Sequence, residues 1–216
     1  MNTIEESINY IVKEVAKRLQ NEDEDEGILI EASGRHSHLS KESVEILFGK
    51  GYKLTKKREL SQPGQYLCEE KVMIIGPKGT IQNISVLGPE REETQIELSK
   101  TDAVSIGVKA PVKMSGDIEN SGSIIIATQN AAMKLEKGVI VAKRHIHITP
   151  EDAKKYGVSN NEEVSIKVTG ERGVIFTNVA VRVSDKFETV VHLDYDEANA
   201  CGFVKGMKAM IIKNKG

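Results

Sequence analysis

From residue 27 onward the chain is a succession of short apolar runs. GILIEAS, KVMIIG, TIQNISVLG, SIIIAT, GVIVAKRHIHI, EEVSIKV, TNVAVRV, TVVHL and KAMIIK are rich in Val and Ile, and Gly, Pro or Asn turns separate many of them. β-Branched residues fit a pleated, half-buried surface, so each run predicts a strand. The helical stretches between them are short. That argues against a doubly wound α/β sheet and for a mainly β fold of small barrels or sandwiches. The segment MSGDIENSGS, Met114–Ser123, reads as an exposed loop.

Upstream the pattern changes. Ile4, Ile8, Ile11, Val12, Val15 and Leu19 recur at helical spacing over residues 3–20, with charges between them. The acidic run NEDEDEG then breaks the pattern and reads as a solvated linker. A short amphipathic helix separated in this way is a docking element. Two roles stay open for it: packing on its own body or a dimer partner, and addressing the protein to an assembly.

The short helices share a preamble. In HITPEDAKKYG, Thr149 suits the N-cap, Pro150 the first helical position, and acidic residues follow where the helix dipole favours them. Gly157 suits the residue that closes the helix. HLDYDEANACG matches this position for position from His192, with Asp194 as cap and Gly202 as stop. HLSKESVEILFG repeats it from His38 with one extra residue, Ser40 to Gly49, and ELSKTDAVSIG repeats it from Glu97, Ser99 to Gly107. Any strand-to-helix junction favours such caps. The residue two before the cap is more informative: it is His38, Glu97, His147 and His192 in chain order. Imidazole and carboxylate are the usual nitrogen and oxygen ligands of zinc-like metals.

The histidine arithmetic points the same way. The chain has five, of which four lie in RHSHLS, Arg35–Ser40, and RHIHIT, Arg144–Thr149; the fifth is His192. Both side chains of an H-x-H on a strand project to one face, so each pair can chelate one ion. His36, His38, Glu97, His145, His147 and His192 are too many ligands for one tetrahedral ion and divide into two sets of three. Three protein ligands with a fourth position open mark catalytic rather than structural zinc. Arg91, in LGPERE six residues before Glu97, suits a phosphate or carboxylate substrate, because guanidinium pairs bidentately with such oxygens. A surface arginine balancing Glu90, Glu92 and Glu93 is the alternative. GPKG presents Lys78 at a turn, and Arg35 and Arg144 read as strand anchors through acidic partners.

Composition narrows the classes further. With 216 residues the chain forms one large domain or two small ones, and 39% apolar with 29% charged residues suits a soluble globular protein. A net charge of −2 disfavours nucleic acid as a partner. No apolar run approaches the roughly 20 residues that span a bilayer, and the N-terminus lacks the basic and apolar regions of a secretion signal. Cys68 and Cys201 form no C-x-x-C pair and are expected to be reduced thiols.

With RHSHLS, GPKG, LGPEREETQIELSKTDA, VIVAKRHIHITPEDA and HLDYDEANA in that order, the chain resembles the phosphate propanoyltransferases of the propanediol-utilisation type, the PduL-type phosphotransacylases, over residues 27–214. The resemblance implies two small helix-capped β-barrels with the active site between them. It places residues 25–34 and 143–216 in one barrel and residues 35–142 in the other, leaving 1–24 as helix and linker. It implies two zinc ions per chain, one on His36, His38 and Glu97 and one on His145, His147 and His192. Arg91 matches the phosphate-binding arginine, and coenzyme A contacts carry over to Ala32, Ser33, Gly34, Lys78 and Asn199. Two positions depart: Gly34 stands where the family often has Asn, and Ser85 where it often has an Arg that meets coenzyme A. Many members carry an N-terminal helix that directs them into bacterial microcompartments, which suits residues 3–20. The implied location is therefore a microcompartment or the cytoplasm, with shell or core proteins as partners and homo-oligomerisation left open.

The implied activity is reversible transfer of a propanoyl or acetyl group between coenzyme A and inorganic phosphate. The ligands are then acyl-CoA, phosphate and acyl phosphate. In that reading the metal pair polarises the acyl carbonyl and Arg91 holds phosphate for attack. Because every histidine is assigned to metal, no Ser–His–Asp set remains and direct transfer is expected. A dimetal thioester or ester hydrolase and a metal-dependent scaffold protein of a microcompartment are the rival readings.

Overall fold

A computed structural model describes residues 27–212 together with Ile8, Tyr10 and Val12. Apart from those three residues, the helix expected over 3–20, its acidic linker and their docking role lie outside the described residues. The elements run β1 Ile28–Ser33, β2 His36–Ser40, α1 Lys41–Phe48, β3 Lys56–Glu59, β4 Tyr66–Gly76, β5 Gly79–Arg91 and β6 Gln95–Glu97. They continue with α2 Lys100–Ser105, β7 Val112–Lys113, β8 Gly122–Ala127, β9 Ala132–Ala142, β10 His145–Ile148 and α3 Pro150–Tyr156. β11 Glu163–Val168, β12 Val174–Val183, β13 Val190–Asp194, α4 Tyr195–Ala200 and β14 Lys208–Ile212 complete the chain.

Pairing closes two barrels of six strands, as the mainly β expectation required. One is the ring β1-β13-β10-β12-β11-β14. The other is β4-β5-β2-β6-β9-β8, closed by β8 on β4, with β3 and β7 attached at its edges. Closure leaves these rings without unpaired edges. Each ring is filled by its own apolar cluster, one around Leu39, Ile74, Ile84, Ile96 and Ile126, the other around Ile146, Ile148, Ile166, Val181 and Leu193.

The two rings have the same plan. The H-x-H strand, β2 or β10, lies between an antiparallel partner, β6 or β13, and a parallel one, β5 or β12. The antiparallel partner pairs in turn with a parallel strand, β9 or β1. Those last strands are exchanged. β1 leads into β2 yet pairs in the ring of β10, whereas β9 leads into β10 yet pairs in the ring of β2. The run GVIVAKRHIHI, legible as one stretch in the sequence, is thus two strands of different barrels, parted at Lys143–Arg144.

Each short helix begins as its cap residue dictates. The side chains of Ser40, Ser99, Thr149 and Asp194 accept from the backbone N–H three residues on, and Asp194 and Glu197 form a reciprocal capping box. Gly157 ends α3 in the left-handed conformation at φ 63°, which a β-carbon would disfavour.

Alternation along β10 yields a stability prediction. Ile146 and Ile148 are 0% exposed in the barrel core, whereas Ile175 on β12 is 55% exposed. Ile146→Ala should cost about 2–5 kcal/mol, and Ile175→Ala about 0.5 kcal/mol or less. Urea unfolding followed by circular dichroism reads both.

Candidate metal centre and active site

His36 and His145 open their strands, and alternation sends His36 and His38, or His145 and His147, to one side while Leu39, Ile146 and Ile148 fill the cores. The antiparallel register then sets Glu97 opposite His36 and His192 opposite His145. Ligand atoms of His36, His38 and Glu97 lie within 4.8 Å of one another, as do those of His145, His147 and His192. Both groups line one cavity of about 1090 Å³ between the barrels, ample for a small-molecule ligand.

The crossing points hold these groups in place. His36 Nδ1 lies 2.7 Å from the Gly34 carbonyl and His145 Nδ1 lies 2.8 Å from the Lys143 carbonyl, so each donates two residues back. This fixes the tautomer and leaves Nε2 of each as a lone pair. Arg35 pairs with Asp102 of α2 at 3.4 Å, and Arg144 pairs with Glu197 of α4 at 2.6 Å. Asp102 and Glu197 are both the third helical residue after the cap, so the anchors repeat with the fold.

The groups fit divalent metal. Glu31 Oε2 lies 3.3 Å from His192 Nε2 and receives the Ser61 hydroxyl at 2.6 Å. With His192 Nε2–H turned to Glu31, the lone pairs of His192 Nδ1 and His145 Nε2 face each other at 3.2 Å. Two nitrogens on one tetrahedral zinc stand about 3.3 Å apart. In the other group His36 Nε2 and Glu97 Oε2 are 3.5 Å apart. Among the described residues, His38 Nδ1 and both ring nitrogens of His147 are buried with no hydrogen-bond partner. Buried polar atoms are rarely left so, and a bound cation would satisfy one nitrogen of each ring, the one that carries the lone pair.

The electrostatics differ between the groups. Burial alone would raise the Glu97 carboxyl, but the adjoining His36 imidazole holds it well below the usual carboxylate range. Burial works against a charge on His36, yet Glu97 overrides it and its pKa is raised. Burial and neighbouring positive charge lower three histidines: His38 well below the ordinary value, His145 to about 4 and His147 to about 2. Metal ligation needs that neutral form.

Several residues that complete the site escaped the pattern analysis. Gln95 precedes Glu97 by two, on the same strand face, and sits opposite His38. Its amide donates to Glu97 Oε1 at 2.6 Å and to Ser115 Oγ at 3.0 Å. Ser115 lies in the segment expected to be an exposed loop. That expectation fails in part, because Ser115 turns inward to accept from Arg91 Nη1 at 3.1 Å and β8 begins at Gly122. Arg182, Phe187 and Glu31 also line the cavity. A period of two on a strand was the available signal for Gln95; Glu31, Ser115 and Phe187 depend on contacts across the barrels or from loops.

The family model for phosphate propanoyltransferase matches residues 29–204. The chain is 56% identical over 210 residues to the phosphate propanoyltransferase of Clostridioides difficile, covering 97% of this chain and 99% of that one. It is 51% identical to that of Listeria monocytogenes, covering 96% of each, and 50% identical to that of Enterococcus faecalis, covering 99% and 100%. The chain belongs to the phosphate propanoyltransferase family. It is therefore an acyltransferase.

Against that family, the expected coenzyme residues fall in two places. Ala32, Ser33 and Gly34 line the cavity with the histidines and Arg91. Lys78, exposed at the β4–β5 turn beside Gly107, and Asn199, exposed on α4, are not among the residues lining it. Ser85 lines the cavity beside His36 on the parallel strand. At Gly34 a β-carbon would lie 2.4 Å from Tyr195 Oη, so the Tyr195 ring occupies the space of a side chain at 34. Cys68 and Cys201 are free and buried, and burial pushes the Cys68 thiol up to about 11.

The close contact predicts a coupled pair. Gly34→Asn should push aside the Tyr195 ring, which is 43% exposed, at a cost of about 1 kcal/mol or less, and Tyr195→Ser in the same chain should remove that loss in thermal unfolding. The histidines predict a pH effect in the metal-free chain. Unfolded imidazoles gain protons near pH 6.5, whereas His38, His145 and His147 stay neutral until lower pH. The unfolded state binds more protons in that interval. Stability after chelation should therefore fall as pH drops from about 6.5 toward 4, a trend that denaturant titrations at stepped pH would read.

Proposed function

We propose that the chain catalyses reversible transfer of a short acyl group, propanoyl or acetyl, between coenzyme A and inorganic phosphate. The centre is one in which His36, His38 and Glu97 hold one zinc ion and His145, His147 and His192 hold a second. The observation that carries this reading is the setting of Arg91. Its guanidinium turns into the cavity, with Nη2 2.8 Å from His38 Nε2 and Nη1 3.1 Å from Ser115 Oγ. Among the described residues no carboxylate pairs with it, although Glu90, Glu92 and Glu93 adjoin it in sequence. A neutral imidazole has one lone pair, so zinc on His38 releases the His38 contact and leaves a half-buried guanidinium braced by Ser115, suited to an anionic substrate.

The residues then divide the work. Bound zinc supplies Lewis-acid polarisation of the acyl carbonyl and offsets the charge that develops on its oxygen. Arg91, braced by Ser115, orients a phosphate oxygen toward the thioester carbon, and proximity supplies much of the acceleration. The new C–O bond forms as the C–S bond breaks, and the coenzyme leaves as thiolate. The strand edge Ala32–Gly34 borders the acyl-CoA end of the cavity, with Lys78 and Asn199 reserved for parts of the coenzyme outside it. Residues 3–20 would serve as an address to a microcompartment of propanediol degradation and take no part in turnover.

The test is release of free thiol from propanoyl-CoA by full-length protein of known zinc content, with and without phosphate. Release should require phosphate, stop after chelation, return with zinc, and fall by about 100-fold or more in Arg91→Ala. Removal of residues 1–21 should leave turnover intact. Release that ignores phosphate would replace this reading with a thioester hydrolase.

A further inference from the structure

β12 brings a second arginine to the cavity wall. Arg182 stands opposite His147 in the parallel β10–β12 register and lines the same cavity as Arg91. The two barrels have the same plan, with β12 in one occupying the place of β5 in the other. Arg182 and Arg91 are thus carried by equivalent strands, one from each barrel.

The surroundings of Arg182 differ from those of the anchoring arginines. Arg35 and Arg144 each meet a carboxylate. Among the described residues the Arg182 side chain has no hydrogen bond or ion pair; its guanidinium lies 5.7 Å from the centroid of the Phe187 ring. That ring stacks on His147 at 4.1 Å, so Phe187 steers the guanidinium while wedged against the ligand group. A half-buried cation with only a ring beside it loses hydration without compensation from a counter-ion. Arg182 and Arg91 line the same cavity, so their positive charges share one space. Two guanidiniums that repel across one cavity are relieved by an anion between them.

We infer that Arg182 is a second phosphoryl-binding residue, which grips the oxygens of phosphate or acyl phosphate from the barrel opposite Arg91. This rests on the acyl-transfer reading above. The phosphoryl oxygens it grips belong to the transferred phosphate and not to the phosphates of coenzyme A. Arg182 acts in both directions, because the same group enters as phosphate or as acyl phosphate.

The experiment compares wild type, Arg182→Gln and Arg182→Lys as full-length, zinc-loaded proteins. Inorganic phosphate binding is measured by calorimetry, and the KM for phosphate and for propanoyl-CoA by thiol release. Removal of one charge-assisted contact should weaken phosphate binding and raise its KM by about 10-fold or more in Arg182→Gln. Arg182→Lys should recover part of the loss, with two zinc ions retained and the KM for propanoyl-CoA within about twofold. Unchanged phosphate affinity in both variants would overturn the inference. A rise confined to the KM for propanoyl-CoA would assign Arg182 to the coenzyme phosphates, and loss of zinc would assign it to the support of His147; either result overturns it. Failure of the parent reading looks different: wild type then shows no phosphate-dependent release, and the calorimetric comparison still decides whether Arg182 binds phosphate.

Discussion

The chain passes between its two barrels just ahead of each H-x-H, and the site depends on those two passages. At Gly34–Arg35 and again at Lys143–Arg144 the backbone leaves one ring and enters the other. Each passage frees a carbonyl, of Gly34 or Lys143, from the strand ladder and gives it to the first histidine of the pair. Each passage also carries an arginine that ties to the first turn of a helix in the barrel being entered. Exchange of β1 and β9 between barrels makes separation of the barrels costly, because moving either one apart would break parallel strand pairings in the other. Rigid placement of opposed ligand groups follows from that connectivity.

Further ties close the cleft on either side of the ligand groups. Ser61 in one barrel donates to Glu31 in the other at 2.6 Å, and Gln62 donates to the Glu188 carbonyl at 3.1 Å. The Thr101 backbone N–H donates to Asp196 at 2.8 Å, joining the starts of α2 and α4. The Glu31 contact has a second effect, since the same carboxylate orients His192. A bond that fastens the barrels therefore also orients one histidine of the second group.

The two groups are alike in their place on the fold and unequal in charge. One holds Glu97, whose negative charge keeps His36 basic; the other is three imidazoles with His145 and His147 held neutral by burial. Arg91 adjoins the acidic group and Arg182 the neutral one. Both guanidiniums feel the Glu97 carboxylate, which opposes the lowering of their pKa by burial. A duplicated scaffold has in this way acquired a polarity along the cleft that a symmetric pair of sites would lack.

What the sequence by itself determined is local. Period-two spacing put His36 with His38 and His145 with His147, and the repeated cap-and-helix phrase singled out Glu97 and His192 as their companions. These readings hold because alternation and capping act over two to four residues. Tertiary structure decided the rest. Nothing in GVIVAKRHIHI tells that Lys143–Arg144 parts two barrels, because both halves have the same apolar strand chemistry and only long-range pairing separates them. Ser115 looked solvent-exposed because its loop is polar, yet Arg91 and Gln95, some twenty residues away, draw it inward. Nothing local marks Glu31 or Arg182, and only closure of the rings turns both onto the cavity. Side chains that meet across separate barrels leave no periodic trace in the chain, since their spacing is fixed by where distant strands pair and by nothing nearby.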